Sequence, residues 1–287
     1  MKTIKIGIAC HKGGVGKTAT VAALADAATY ENSGAKVLII DGDEQNCLKT
    51  IFGIKMHATQ GGLADVLTGN LSVEQAKMQV RPNIDLITSG GRLMKDFETQ
   101  FANTKNAEIL MKKALGSLSE YSYVFIDCPP AISLITANVF TFADYILVPC
   151  MPDLLAFVGA KQTINFFESV GKLYKEKKMP LATVIGVVLT QFDKRQSLDN
   201  TIEGDLEGLE TSGLIRRSFA PIPKDIKVKT AQVRRKLLSE GFQNCLAAKA
   251  YRVLFQDLMV EIGKIETEKS TGLPVRATKK SELEIRA

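Results

Sequence analysis

Histidine occurs only twice in the 287 residues, at His11 and His57, too few and too far apart in sequence for a histidine metal site. The five cysteines (Cys10, Cys47, Cys128, Cys150 and Cys245) are odd in number and scattered, with no Cys-x-x-Cys pair. That pattern excludes a disulfide framework and a zinc ribbon. No segment approaches the roughly 18 uninterrupted apolar residues of a membrane span. The N-terminus passes from a short strand-like run into a glycine-rich polar turn, not into the apolar core of a signal peptide. A cytoplasmic location is the expectation. Internal repeats and long flexible linkers are also missing, so one domain is the simplest organisation.

What the chain does have is ordinary soluble composition, 45% hydrophobic and 24% charged, in a length that suits one large α/β unit. Short apolar runs at 4–9, 37–41, 84–88, 123–127, 145–149 and 184–189 alternate with helix-like stretches at 18–30, 107–118, 156–174 and 247–265. Several runs, such as Val37-Leu38-Ile39-Ile40, are apolar at nearly every position, the mark of strands covered on both faces. The predicted class is α/β: a doubly wound, mostly parallel sheet flanked by helices. From Glu266 the composition turns polar, Gly272 and Pro274 interrupt it, and only Leu273, Val275, Leu283 and Ile285 are apolar. The expectation is a domain over 1–265 and a polar tail over 266–287, disordered without a partner.

The strongest signal is Lys12-Gly13-Gly14-Val15-Gly16-Lys17-Thr18, directly after the first strand and before an alanine-rich helix. Glycines let backbone N–H groups turn inward around an anion, and the helix start contributes its positive dipole end. Lys17 supplies a charge for β- and γ-phosphates, and Thr18 a hydroxyl for Mg²⁺. The second strand closes in Asp41-Gly42-Asp43-Glu44-Gln45-Asn46, at the carboxyl edge where open α/β sheets bind ligands. Tyr123-Val124-Phe125-Ile126-Asp127 is an apolar strand ending in a carboxylate able to help hold Mg²⁺, and Pro129-Pro130 stiffens the turn after it. Three such motifs in order are far more specific than any one. His11 reads as a turn residue beside the loop, and Cys128 as a small buried cysteine without a redox role.

With its additional lysine at position 12, the run 11–18 resembles the loop of the ParA/MinD group of deviant Walker P-loop ATPases. The similarity extends over about residues 1–262 and is strongest to the DNA-partitioning members. It implies that Lys12 crosses to the phosphates of a second subunit in an ATP-sandwich homodimer. It also implies that Asp43 positions the attacking water and that Asp41 lies near the metal with Thr18 and Asp127, although Glu44 stands where the family pattern has proline. Nucleotide contacts carried over in this way are Lys12, Gly13, Gly14, Val15, Gly16, Lys17, Thr18 and Ala19. The segments 190–195 and 219–223 lie around the adenine in the family, which adds Pro221 and Pro223, while the asparagine of some relatives is replaced by Gln191 or Asp193. ATP and Mg²⁺ are the implied ligands, with Lys12, Lys17 and Asp43 as catalytic residues.

Formal net charge is +6, yet 216–252 alone holds ten basic residues against Asp225 and Glu240. The excess is therefore a local patch. Without interleaved aromatics or a helix-turn-helix signal it suits contact with a duplex phosphate backbone, not base readout or single-strand stacking. Arg216, Arg217, Arg234, Arg235 and Lys236 are the candidate DNA contacts. The resemblance implies a nucleoid-associated ATPase that binds double-stranded DNA non-specifically as an ATP dimer and releases it when a ParB-like centromere-binding protein stimulates hydrolysis. Chromosome, plasmid and protein assembly stay open as cargo. The alternative is a MinD-like positioning ATPase acting on a membrane or a protein cargo, but Leu283 and Ile285 give the tail too little apolar area for stable membrane association. An iron–sulfur relative would need two suitably placed cysteines per subunit, and Cys128 and Cys150, the only pair near plausible ligand loops, lack that family's cysteine-glycine context.

Overall fold

A computed structural model describes residues 2–55, 61–176 and 181–271 of the chain. His57 and the segment 272–287 lie outside the described residues. The chain starts with β1 (Ile4–Ile8), α1 (Lys17–Glu31), β2 (Val37–Asp41), α2 (Cys47–Ile51), α3 (Leu63–Thr68) and α4 (Val73–Ala76). It continues with β3 (Lys77–Arg81), β4 (Ile84–Ile87), α5 (Arg92–Phe101), α6 (Leu110–Leu115), β5 (Tyr123–Asp127), α7 (Leu134–Phe142) and β6 (Tyr145–Cys150). The last part holds α8 (Leu154–Glu176), β7 (Thr183–Leu189), α9 (Ser197–Thr211), β8 (Ser218–Phe219), α10 (Ile226–Val233) and α11 (Leu246–Thr271).

These strands form one eight-stranded sheet in the order β3-β4-β2-β5-β1-β6-β7-β8, and every pairing is parallel except β3 with β4. The predicted doubly wound α/β class is the one observed. All six apolar runs read from the sequence become strands, because helices cover both faces: every residue of β2 and of β6 is buried. Alternate side chains of a strand feed two separate cores. Leu38 and Ile40 pack on one face with α3, α7 and α8, whereas Val37 and Ile39 pack on the other with α1 and α11. Strand β3 escaped the sequence reading because Lys77-Met78-Gln79-Val80-Arg81 has no apolar run. It sits at the sheet edge with none of its residues fully buried, where charged residues block further pairing.

Helix α1 is rich in alanine, and that lets it lie tightly between the sheet and α11: ten of its fifteen residues are buried. The hydroxyls of Thr20 and Tyr251 meet at 3.3 Å across that contact. Helix α11 runs on to Thr271, past the point where the sequence turns polar. Glu266 accepts from the Tyr145 hydroxyl at 2.6 Å and Glu268 pairs with Arg216, so these residues dock on the body instead of opening a tail. Residues 266–271 of the expected tail are thus helical.

Where β2 leaves the sheet, Gly42 donates its N–H to the Asp127 carbonyl at 2.9 Å. A β-carbon at position 42 would lie 2.8 Å from that carbonyl oxygen and 3.0 Å from Ile135 Cγ2, so only glycine lets the two strand ends close together. Gly42→Ala should destabilise the fold by about 1–3 kcal/mol through this overpacking. The check is a lower urea midpoint with an unchanged m-value.

Candidate functional site

Sheet order decides what meets at the carboxyl edge. β5 lies between β2 and β1, with Asp127 in register with Asp41 on one side and Ile8 on the other. The loop after β1 and two carboxylates therefore share one edge of the sheet. Cys10 and Val15 anchor the loop in the core, each 1% exposed, while Gly13 and Gly14 between them are exposed. Gly14 (φ 81°) and Gly16 (φ 85°) hold left-handed conformations that favour glycine, and these turn the chain into α1. Lys17 is buried and folds back through the curl, its ammonium donating to the carbonyls of Lys12 at 3.0 Å and Cys10 at 3.3 Å. Thr18 and Ala19 follow, half-buried in the first turn.

Neighbouring elements hold this loop from outside. Thr190, which closes β7, donates its hydroxyl to the Val15 carbonyl at 2.8 Å, and the Gln191 amide lies 3.5 Å from the Gly14 carbonyl. Gln191 adopts φ 56°, a left-handed conformation uncommon for a side chain of its size. The sequence reading has Thr190 only as the start of the segment 190–195, not as a residue that holds the phosphate loop. The segment carrying Pro221 and Pro223 is stitched to the same strand end, with the Ile222 N–H on the Leu189 carbonyl at 2.8 Å and the Phe192 N–H on the Ile222 carbonyl at 3.0 Å. Both prolines are half-buried beside the loop-contacting Gln191 region.

Asp41 and Asp127 are almost fully buried, at 0% and 1% exposure. Asp41 accepts the N–H groups of Asp43 at 3.0 Å and Leu48 at 3.4 Å. Neither oxygen of Asp127 has a hydrogen-bond partner among the described residues. Burial pushes both carboxyls above the usual range. The charge of Asp127 adds to the rise at Asp41, whereas Thr18 and Lys17 pull Asp127 down. A buried, unsatisfied carboxylate beside a threonine hydroxyl and the start of a helix fits a divalent cation with phosphate oxygens. No group of three or more His, Cys, Asp or Glu suited to hold a metal occurs among the described residues.

Asp43 is half-buried after β2 and accepts the Gln45 N–H at 3.0 Å, while its carbonyl accepts from Asn46 at 2.9 Å. This side-chain turn, with Asn46 at φ 52°, orders the loop without the proline that Glu44 replaces; Glu44 itself is exposed. His11 is half-buried against the Phe166 ring at 5.6 Å, and burial lowers its pKa. Cys128 is fully buried, and burial pushes its thiol far up, so it has little thiolate character.

The basic region is not one surface. Arg234, Arg235 and Lys236 stand together, exposed, at the end of α10, with Arg234 lying 5.9 Å from the centre of the Phe242 ring. Arg217 is half-exposed beside β8 and pairs with Glu210 at 3.2 Å. Arg216 corrects the sequence expectation of a DNA contact. Its side chain is 6% exposed and lies between Glu261 at 2.8 Å and Glu268 at 3.0 Å, so it has no free face for a phosphate.

Known proteins place this arrangement. A family model described as an AAA domain matches residues 1–180. The chain is 30% identical over 264 residues to chromosome partitioning protein ParA of Caulobacter vibrioides (strain NA1000 / CB15N), spanning 88% of this chain and 93% of ParA. It is 31% identical over 238 residues to sporulation initiation inhibitor protein Soj of Bacillus subtilis (strain 168), spanning 82% and 86%. Among solved structures, cobyrinic acid a,c-diamide synthase of Mycobacterium smegmatis, crystallised with an ATP analogue and magnesium, matches with a TM-score of 0.74. Its identity is 25%, with 91% of this chain and 96% of the synthase covered.

Removing Arg216 takes the guanidinium from buried Glu261, leaving it only the exposed Lys264 at 3.2 Å, and from half-buried Glu268. Arg216→Ala should cost about 3–5 kcal/mol of stability, the range for breaking a buried ion pair from one side. Chemical denaturation reads that loss directly, and an unchanged midpoint would refute the structural assignment.

Proposed function

The chain belongs to the ParA family of P-loop ATPases, and from that membership we propose that it is a DNA-partitioning ATPase working through an ATP-sandwich homodimer. The observation that carries the reading is that the loop bearing Lys12 and Lys17 and the carboxylates Asp41, Asp43 and Asp127 follow or close three adjacent strands at one edge of the sheet. Lys17 is already held inside its own loop, whereas the Lys12 ammonium makes no hydrogen bond or ion pair among the described residues. One lysine serves its own site and the other is left for a second copy.

In this reading the N–H groups of Gly13 to Ala19 and the Lys17 ammonium bind the phosphates of ATP. Thr18 and Asp127, with Asp41 behind them, would hold Mg²⁺, which neutralises charge on the phosphate oxygens. Pro221 and Pro223 border the base. Asp43 orients the water that attacks the γ-phosphate, and Lys12 of each copy stabilises the charge that develops on the other copy's phosphates. Turnover is slow, because Asp43 and the crossing lysine align only in the closed dimer, and a ParB-like protein accelerates it. The ATP dimer binds duplex DNA of the nucleoid without sequence preference through Arg234, Arg235 and Lys236, with Arg217 at the margin. The 30–31% identity to ParA and Soj over most of the chain supports partitioning over the amide-forming chemistry of the synthase, a structural likeness at 25%.

Lys17→Ala should weaken ATP binding by about 10–100-fold, the scale of losing charge-assisted hydrogen bonds. Asp43→Ala should retain ATP, accumulate as a dimer and turn over about 10²–10⁴-fold more slowly; analytical ultracentrifugation with phosphate release reads both. For DNA, Arg234→Ala combined with Arg235→Ala should flatten the slope of log affinity against log salt by about 1.8, two phosphate contacts at about 0.9 each. A slope equal to the parent's over several salt concentrations would remove DNA from this patch.

A further inference from the structure

The beginning of the phosphate loop is docked on α8 at three points. The His11 N–H donates to Thr163 Oγ1 at 2.9 Å, and the same hydroxyl donates to the Gly159 carbonyl at 2.8 Å. Thr163 is 1% exposed, and both of these bonds are made inside the fold. The His11 ring then meets Phe166 edge-on. Gly159 provides the clearance for this docking: a β-carbon there would lie 3.0 Å from Lys12 Cβ and 3.7 Å from Lys12 N. On its carbonyl side, Lys12 is held by the Lys17 ammonium at 3.0 Å. Beyond it the loop is open, since a β-carbon at Gly13 or Gly14 would meet nothing within 4 Å. Lys12 is the last loop residue held from both sides before that opening.

We propose that Gly159 and Thr163 of α8 are positioning residues for Lys12: they set the place of its backbone and Cβ, from which its ammonium reaches the phosphates of a second copy. The proposal rests on the ATP-sandwich reading above. Gly159 sits inside α8 with ordinary helical backbone, a conformation in which alanine is more favourable than glycine. Helix geometry therefore gives no reason for a glycine there, and the approach of Lys12 does. A lysine has four rotatable side-chain bonds, and a cation that acts across an interface is effective only when its base is fixed beforehand. Thr163 fixes the residue before it and Lys17 the carbonyl after it.

The test uses the full chain with Gly159→Ala, Thr163→Val, Thr163→Ser and Lys12→Ala, reading affinity for a fluorescent ATP analogue and ATP-dependent dimerisation by sedimentation velocity. Gly159→Ala should keep nucleotide affinity within about twofold while ATP-dependent dimerisation weakens about threefold to tenfold, because a β-carbon at 3.0 Å displaces Lys12 by a few tenths of an ångström and a full 1 Å misplacement costs about a hundredfold. Thr163→Val should weaken dimerisation in the same direction and Thr163→Ser should restore it. Adding Gly159→Ala to Lys12→Ala should produce no further loss, because both act through one side chain. If Gly159→Ala dimerises like the parent while Lys12→Ala does not, the positioning role is wrong and the sandwich reading stands. A parallel fall in nucleotide affinity and melting temperature would make Gly159 a purely structural residue and overturn the proposal. Should Gly159→Ala fail to fold, the threonine pair decides, and equal dimerisation by the Val and Ser variants overturns it. A parent that stays monomeric with ATP removes the reading and this role together.

Discussion

Two aspartates in register on neighbouring parallel strands, inside an apolar sheet, are the constraint around which the molecule is arranged. Asp41 and Asp127 end β2 and β5 side by side, and burial raises the pKa of both. What makes the arrangement tolerable is the next strand over. β1 delivers a loop whose Lys17 is buried beside them, and the helix that begins at Lys17 points its positive end toward the same place. The order β2-β5-β1 is thus an electrostatic requirement as much as a packing one. It leaves Asp127 with two unsatisfied oxygens, a cost that a structural pair would not carry and that a cation-binding carboxylate would.

Glycine is used at this edge wherever two backbones must touch. Gly42 brings β2 onto the Asp127 carbonyl, and Gly159 brings α8 onto Lys12. Gly14 and Gly16 serve a different purpose, since their positive φ values turn the loop into α1. Close approach and left-handed backbone are separate reasons for the same residue type, and only coordinates tell them apart.

α1 joins the phosphate end of the molecule to its basic end. It begins at Lys17, and about two and a half turns further on Asp26 accepts both the N–H of Ser239 at 2.9 Å and its hydroxyl at 2.5 Å. Ser239 follows the exposed run Arg234, Arg235 and Lys236 by three residues, and Arg235 is further tied by its carbonyl to Arg81 at 2.7 Å. The surface proposed for DNA is therefore tied to the same helix that begins at Lys17, the lysine proposed to bind phosphate, with Thr20 and Tyr251 linking that helix to α11 between them.

The alternation of apolar runs and helices, the phosphate loop and the two strand-ending aspartates were legible in the sequence, because each depends on residues close together in the chain and on strands covered on both faces. Edge strand β3 was not legible, since half-exposed strands carry no apolar run, and neither was the extension of α11, whose polar residues 266–271 are held by Tyr145 and Arg216. Charge counting placed Arg216 on a basic surface; the fold placed Glu261 and Glu268 against it, 45 and 52 residues away in sequence, and buried it. The clamp on Lys12 by Gly159 and Thr163 spans about 150 residues and likewise has no local signature. Local pattern determined which chemistry the chain carries. Tertiary packing alone decided which of its cations remain free to use it, because burial and pairing depend on neighbours that sequence distance conceals.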